Sequence, residues 1–267
     1  MAGEFARRRE RELAAEAESW DLGQVDEATD LDLPMVDVGA YFASPDPAEL
    51  ERLAAQVRDA GERTGFYLLE GHGLDPGLLA ATFAAGQAFL TLPTAVKRSI
   101  EIDLPQAAAP GIGYLPLGER RLPRRSKGNL NEALLFKQDR SLRLADNPWP
   151  SETVAPGLRT AVEEYAATVE RIALGLLPIY ARALDLAVDW FDDAFRSPFY
   201  RLRITRYPPV RDAEVDQFGI APHVDTTFFT LLAQQGPGLV IFGEQSGRWL
   251  RVPDVPGALV VNTGELL

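Results

Sequence analysis

Between Ala48 and Arg63 the chain sets Leu50, Leu53, Ala54 and Val57 at intervals of three and four, with charged residues filling the gaps. That spacing predicts an amphipathic helix, and Asp46 stands where a side chain would accept its first free N–H groups. A strand is expected over 65–69, Gly-Phe-Tyr-Leu-Leu. Pro76, suited to a first helical turn, opens a second helix expected to run through Leu90. Thr160 to Leu186 predicts a long helix, with Val162, Tyr165, Val169, Ile172, Leu176 and Ile179 on or near one stripe and Pro178 expected to kink it. Residues 103–156, rich in Pro, Gly and Arg, keep neither period and predict a mobile lid or an irregular wall bordering a pocket. From Tyr200 onward the pattern changes to short β-prone runs split by Gly and Pro, as in a jelly-roll barrel. The expectation is an α+β fold in which N-terminal helices support that barrel, without internal repeats.

Composition narrows the class. A chain of 267 residues with 46% hydrophobic content can bury a sizeable core. The net charge of −12 argues against a nucleic-acid surface, which needs a basic footprint, and favours a small-molecule partner. There is no cysteine, so a thiolate ligand or nucleophile is excluded. Near the N-terminus Arg7, Arg8 and Arg9 alternate with Glu10, Glu12, Glu16 and Glu18. Such mixed signs predict a solvated helix rather than a signal peptide, and no run of about 18 apolar residues suggests a membrane span. A cytoplasmic location is the corresponding expectation.

The candidate chemistry is concentrated in His223-Val224-Asp225. Strand side chains repeat with period two, so an imidazole and a carboxylate two positions apart at a strand mouth can face the same way and grip one divalent ion. They would supply two donors of a 2-His-1-carboxylate iron site. The chain has two histidines, and the other, His72, lies far upstream in a different context.

The surroundings of that pair carry a family resemblance. Tyr207-Pro208-Pro209, Gly219 to Asp225, Phe229-Thr230-Leu231-Leu232, Gly238-Leu239, Trp249 and the run Pro256 to Glu265 follow in order and spacing the C-terminal half of the isopenicillin N synthase-like Fe(II)/2-oxoglutarate-dependent dioxygenases. Upstream, Met35-Val-Asp-Val38, Gly65-Phe-Tyr-Leu-Leu69 with Gly71-His72-Gly73, and Phe89-Leu90 with Leu92-Pro93 and Lys97 resemble the N-terminal signatures of the same family, so the likeness covers about residues 33–267.

The resemblance implies a distorted double-stranded β-helix, or jelly roll, that uses Fe(II), 2-oxoglutarate and O2 to hydroxylate, desaturate or cyclise a small organic substrate. It implies His223 and Asp225 as metal ligands and Tyr207 as a residue holding 2-oxoglutarate; Thr205 stands where many relatives carry Asn. His72 matches a structural histidine of the family, and Glu265 replaces an aspartate that is not a ligand. A division into a charged extension (1–30), an N-terminal oxygenase region (31–150) and a helix with barrel core (151–267) is expected. The third metal ligand and the Arg-x-Ser pair that binds the distal carboxylate of 2-oxoglutarate are absent from the chain. A parent of about 310–340 residues is therefore expected, with the 267-residue form inactive by itself. The alternatives are a truncated, non-catalytic relative acting as a scaffold or binding protein, and an oxidase that dispenses with 2-oxoglutarate. Arg120, Arg121, Arg124 and Arg125 are candidates for receiving an anionic substrate.

Overall fold

A computed structural model describes residues 24–102, 104, 109–120, 127–197, 199–214, 217–243 and 245–264. The N-terminal arginine cluster, Arg121, Arg124, Arg125 and Glu265 lie outside the described residues. In chain order come β1 (Val25–Glu27), β2 (Met35–Asp37), α1 (Gly39–Ala43), α2 (Pro47–Arg63), β3 (Phe66–Glu70), α3 (Pro76–Leu90), α4 (Thr94–Lys97), β4 (Gly113–Leu115) and β5 (Glu132–Gln138). The second half holds α5 (Leu158–Ala183), α6 (Asp192–Phe195), β6 (Tyr200–Arg206), β7 (Phe229–Leu232), β8 (Val240–Gly243), β9 (Arg248–Arg251) and β10 (Leu259–Thr263).

The helices begin where their caps dictate. Asp46 accepts hydrogen bonds from the N–H groups of Ala48 and Glu49, and Asp75 accepts one from Leu78 N–H, each with proline at the start of the helix that follows. These side chains satisfy donors that have no intrahelical acceptor, a contribution of about 1 kcal/mol per cap. The stripe Leu50, Leu53, Ala54 and Val57 is buried as its spacing requires. Helix α5 continues through Pro178 to Ala183.

Among the described residues the strands form three sheets, ordered β1-β9-β8, β2-β3-β10-β7 and β4-β5-β6. The long α5 braces two of them. Its C-terminal residues Ile172, Leu176, Ile179 and Tyr180 join α2 against Tyr67, Leu69, Leu259 and Val261 of the four-stranded sheet. Its N-terminal residues Leu158, Val162 and Ala166 pack with Phe89, Leu134 and Phe136, with Leu202 and Ile204 beside them. The other face of β10 and β3 presents Val260 and Leu68 to Ile241 and Leu250 of the β1-β9-β8 sheet. Each fully buried aliphatic or aromatic side chain in these layers contributes roughly 1.5–3 kcal/mol.

Three differences from the sequence expectation have physical causes. The charged extension expected through residue 30 is already a strand at Val25–Glu27, held parallel to β9. The segment 103–156, expected to be irregular, contains β5, the central strand of its sheet, paired antiparallel with β6 over seven residues from Glu132↔Arg206 to Gln138↔Tyr200. Its partner lies more than sixty positions away in sequence, so no local period announces it. That pairing, together with β3–β10, also crosses the expected boundary at residue 150, so the chain on either side shares its sheets.

Candidate metal centre

The His223-Val224-Asp225 segment lies in a loop between β6 and β7 rather than on a strand, and both sides of that loop are fastened. On the incoming side, Leu130 N–H donates to Phe218 O at 2.8 Å, Asn131 Nδ2 donates to Gly219 O at 2.5 Å, and Ala221 N–H donates to Asn129 Oδ1 at 3.1 Å. The approach to β5 thus serves as a rail for the loop. Gly219 sits against the Tyr207 ring so closely that a Cβ there would lie 2.9 Å from Cδ1. On the outgoing side Phe228 enters an aromatic cluster with Tyr180, Phe191, Phe195 and Phe229, its ring centroid 4.9 Å from that of Phe191. Gly264 N–H donates to Phe228 O at 3.0 Å.

The two candidate side chains are each tied on one side by a hydrogen bond and, among the described residues, face only each other on the other. His223 Nδ1 lies 2.9 Å from Ala221 O, an acceptor, so Nδ1 carries the proton and Nε2 offers its lone pair. Asp225 Oδ2 accepts from Thr230 Oγ1 and from Asn262 Nδ2, both at 3.0 Å. Thr230 on β7 and Asn262 on β10 are directly paired across the sheet, so one rung aims two donors at a single carboxylate oxygen. What remains is His223 Nε2 and Asp225 Oδ1, 3.6 Å apart, with 37% and 33% of the two side chains exposed. Metal–nitrogen and metal–oxygen bonds of about 2.1 Å can span donors up to roughly 4.2 Å apart, so the pair fits one divalent ion. Fixing a ligand through its second polar atom is the usual means of setting its orientation.

His72 is arranged the opposite way. Its Nδ1 accepts from Leu74 N–H at 3.1 Å, and its Nε2 faces Gly257 O at 2.8 Å as donor. Both ring nitrogens are consumed in joining the β3 exit to the turn before β10, as the structural role expected of it requires. Among the described residues no group of three or more His, Cys, Asp or Glu side chains converges on a common point.

Tyr207 follows β6 and is 55% exposed. Along β6 the period of two places Leu202 and Ile204 toward α3 and α5, and Arg203 and Thr205 on the reverse face. On that reverse face Leu115, Ala133 and Leu135 form a small apolar cluster. Of the four candidate arginines only Arg120 is described; its carbonyl accepts from Asn129 N–H at 2.9 Å. Sequence reasoning misses the supporting roles of Asn262, Thr230 and the Asn129/Asn131 rail. A polar residue inside the apolar run Leu-Val-Val-Asn262 is the available signal.

Residues 198–267 match the family model for the 2OG-Fe(II) oxygenase superfamily, and residues 33–152 match that for the non-haem dioxygenase in morphine synthesis N-terminal region. The chain belongs to the 2OG-Fe(II) oxygenase family. This is a family of enzymes that use Fe(II), 2-oxoglutarate and O2. A 2-oxoglutarate-dependent dioxygenase from Didymella fabae is 29% identical to this oxygenase over 252 residues, covering 88% of the chain and 75% of the relative. A 2OG-Fe(II) oxygenase family protein from Caulobacter crescentus superposes with a TM-score of 0.71 at 25% identity, over 88% of the chain and 75% of its own length. A Neurospora crassa protein solved in complex with alpha-KG shares the fold with a TM-score of 0.74 at 20% identity, over 91% of the chain and 77% of its own. That Neurospora protein has also been solved with alpha-KG and thymine.

Proposed function

We propose that the oxygenase oxidises a small organic molecule at a centre where His223 Nε2 and Asp225 Oδ1 hold Fe(II), the three sheets forming part of a distorted jelly roll around it. The observation that carries this reading is the division of labour within each side chain: one polar atom is consumed by Ala221 O, or by Thr230 and Asn262, and the other stands free beside its neighbour. A histidine and an aspartate with merely structural roles would use both polar ends, as His72 does.

When bound, Fe(II) in this family couples the oxidative decarboxylation of 2-oxoglutarate by O2 to oxidation of a substrate carbon. The chain's own residues set the conditions for that coupling. The Ala221 carbonyl keeps the Nδ1 proton in place, so Nε2 is the nitrogen that presents its lone pair. The Thr230–Asn262 rung prevents the Asp225 carboxylate from rotating and keeps Oδ2 out of competition with Oδ1. Tyr207, backed by Gly219, presents its hydroxyl beside this loop as a donor to 2-oxoglutarate, and Thr205 adds a second hydroxyl on the reverse face of β6. That the Neurospora crassa neighbour has been solved with thymine supports a small molecule as the substrate class.

The test is succinate formation and O2 consumption, with Fe(II) supplied, in the longer parent form expected from the sequence. Substituting His223→Ala or Asp225→Ala is expected to abolish both, because each removes a donor from a centre that has few. Undiminished 2-oxoglutarate turnover in either variant would refute the assignment.

A further inference from the structure

The reverse face of the β4-β5-β6 sheet carries a cation that the metal centre does not use. Arg203 projects from the middle of β6 opposite Leu135, on the face turned away from the helices. Its Nη2 donates to Asn131 Oδ1 at 2.8 Å. Among the described residues no carboxylate pairs with it, although many other arginines of this acidic chain have an Asp or Glu within 4 Å. Arg206, three positions further along, shows the contrast: its Nη1 bonds to the buried carboxylate of Glu132 at 2.8 Å.

Arg203 is exposed to solvent, yet desolvation by the surrounding protein holds its pKa below the ordinary arginine value, with Tyr207 opposing that shift and the positive charge of Arg120 reinforcing it. A guanidinium remains charged under such conditions. A charge left partly desolvated beside a second cation is stabilised by an arriving anion, and the planar fork matches a carboxylate in particular.

Asn131 makes the position specific. It is 2% exposed, its Oδ1 accepts from Arg203, and its Nδ2 donates to Gly219 O in the loop that leads to His223. The amide is therefore fixed in orientation from both ends. Among the described residues one N–H direction of the guanidinium is occupied, and the rest of the fork has no partner there. Beneath it, on the same face of the sheet, lie the buried Leu115, Ala133 and Leu135. An unpaired cationic fork and a link to the loop of His223 thus share one wall.

We infer that Arg203, steadied by Asn131, receives the carboxylate of the substrate, so that this oxygenase acts on a small organic acid. The inference rests on the functional reading above for the identity of the site, but the binding event can be measured apart from turnover. The probes are matched acid and amide pairs, benzoate with benzamide, phenylacetate with phenylacetamide and hexanoate with hexanamide, added to the Mn(II)-loaded protein with 2-oxoglutarate and followed by ligand-observed NMR. At least one acid is expected to bind while its amide binds about ten- to a hundredfold more weakly, and Arg203→Gln is expected to remove that preference. Arg203→Lys, which keeps the charge but loses the fork, should retain part of it. Affinity for 2-oxoglutarate, titrated separately, should be the same in all three proteins.

Absence of acid binding at millimolar concentration, equal binding of acid and amide, or an acid preference that survives Arg203→Gln would overturn the inference. So would a parallel loss of 2-oxoglutarate affinity, which would assign the guanidinium to the co-substrate instead. If acid preference depends on Arg203 but the protein takes up neither metal nor 2-oxoglutarate, the carboxylate site stands and the oxygenase reading fails.

Discussion

Replacing Asn262 by leucine tests the metal centre without touching either proposed ligand. Asn262 is 9% exposed and its Nδ2 reaches Asp225 Oδ2 at 3.0 Å. Leucine has the same branching but is larger, and the Thr230 hydroxyl still donates to the same oxygen at 3.0 Å, so Oδ2 keeps one donor. Overpacking should cost about 1–3 kcal/mol of stability. The orientation of Asp225 should not survive as well. Outer partners of metal ligands are worth about 10–100-fold in affinity, or roughly 1.4–2.7 kcal/mol. Because two donors share one oxygen, either alone keeps part of the constraint. Asn262→Leu and Thr230→Val are each expected near tenfold, and the double variant near a hundredfold. Anaerobic calorimetric titration with Fe(II), and with Mn(II) as an air-stable probe, reads the effect directly, and thermal unfolding controls for the fold. His72→Asn is the internal comparison: it should lower the melting temperature and leave metal affinity alone. If the folded double variant binds metal as tightly as the parent, the rung does not hold a ligand and the centre must be placed elsewhere.

Two other expectations follow from residues outside the centre. Glu132 is buried, which pushes its pKa up, but hydrogen bonds from Lys97, Tyr114 and Arg206 outweigh this and hold it below the ordinary value of 4.5. A carboxylate depressed in the folded state adds stability above its unfolded pKa and loses it as pH falls through the folded one. Acid unfolding should therefore begin below about pH 4.5, and Glu132→Gln should flatten that part of the curve. Lys97 donates to Glu132 at 2.5 Å, with 6% and 4% of the side chains exposed, and Lys97→Met should cost about 3–5 kcal/mol, visible as a melting temperature lower by roughly 10 °C. Gly264→Ala would put a Cβ 1.7 Å from the Thr227 carbonyl oxygen, so the outgoing side of the metal loop must shift. A loss of about 1–3 kcal/mol in stability with weaker Mn(II) binding is expected, and wild-type values for both would show that the loop is not held there.

The parts of this protein written in short-range signals are legible in advance. Asp46 and Asp75 with their following prolines mark helix starts, the stripe on α5 marks its buried side, and the spacing of His223 and Asp225 anticipates that their side chains come together. What escapes depends on which strands meet. The run Ala133 to Phe136 is apolar without alternation because both faces of β5 are covered, and its placement is decided by β6. The Thr230–Asn262 rung is a fact of register between strands separated by two others in sequence. Arg203 is hidden by an inversion of the familiar rule: on β6 the apolar positions pack onto helices, so the polar alternates lie on the reverse face, and alternation alone does not say which side a ligand approaches.

The opposite use of two imidazoles has a practical consequence. This chain contains two histidines and no cysteine, and the hydrogen bonds assign the proton to Nδ1 in His223 and to Nε2 in His72. In a nitrogen NMR spectrum the two rings would therefore report contrary tautomers from a single sample, one facing the loop opening and one sealed between β3 and the β10 turn. The sealed ring is a built-in reference signal for the open one, against which the arrival of an ion could be followed in an otherwise unmodified protein.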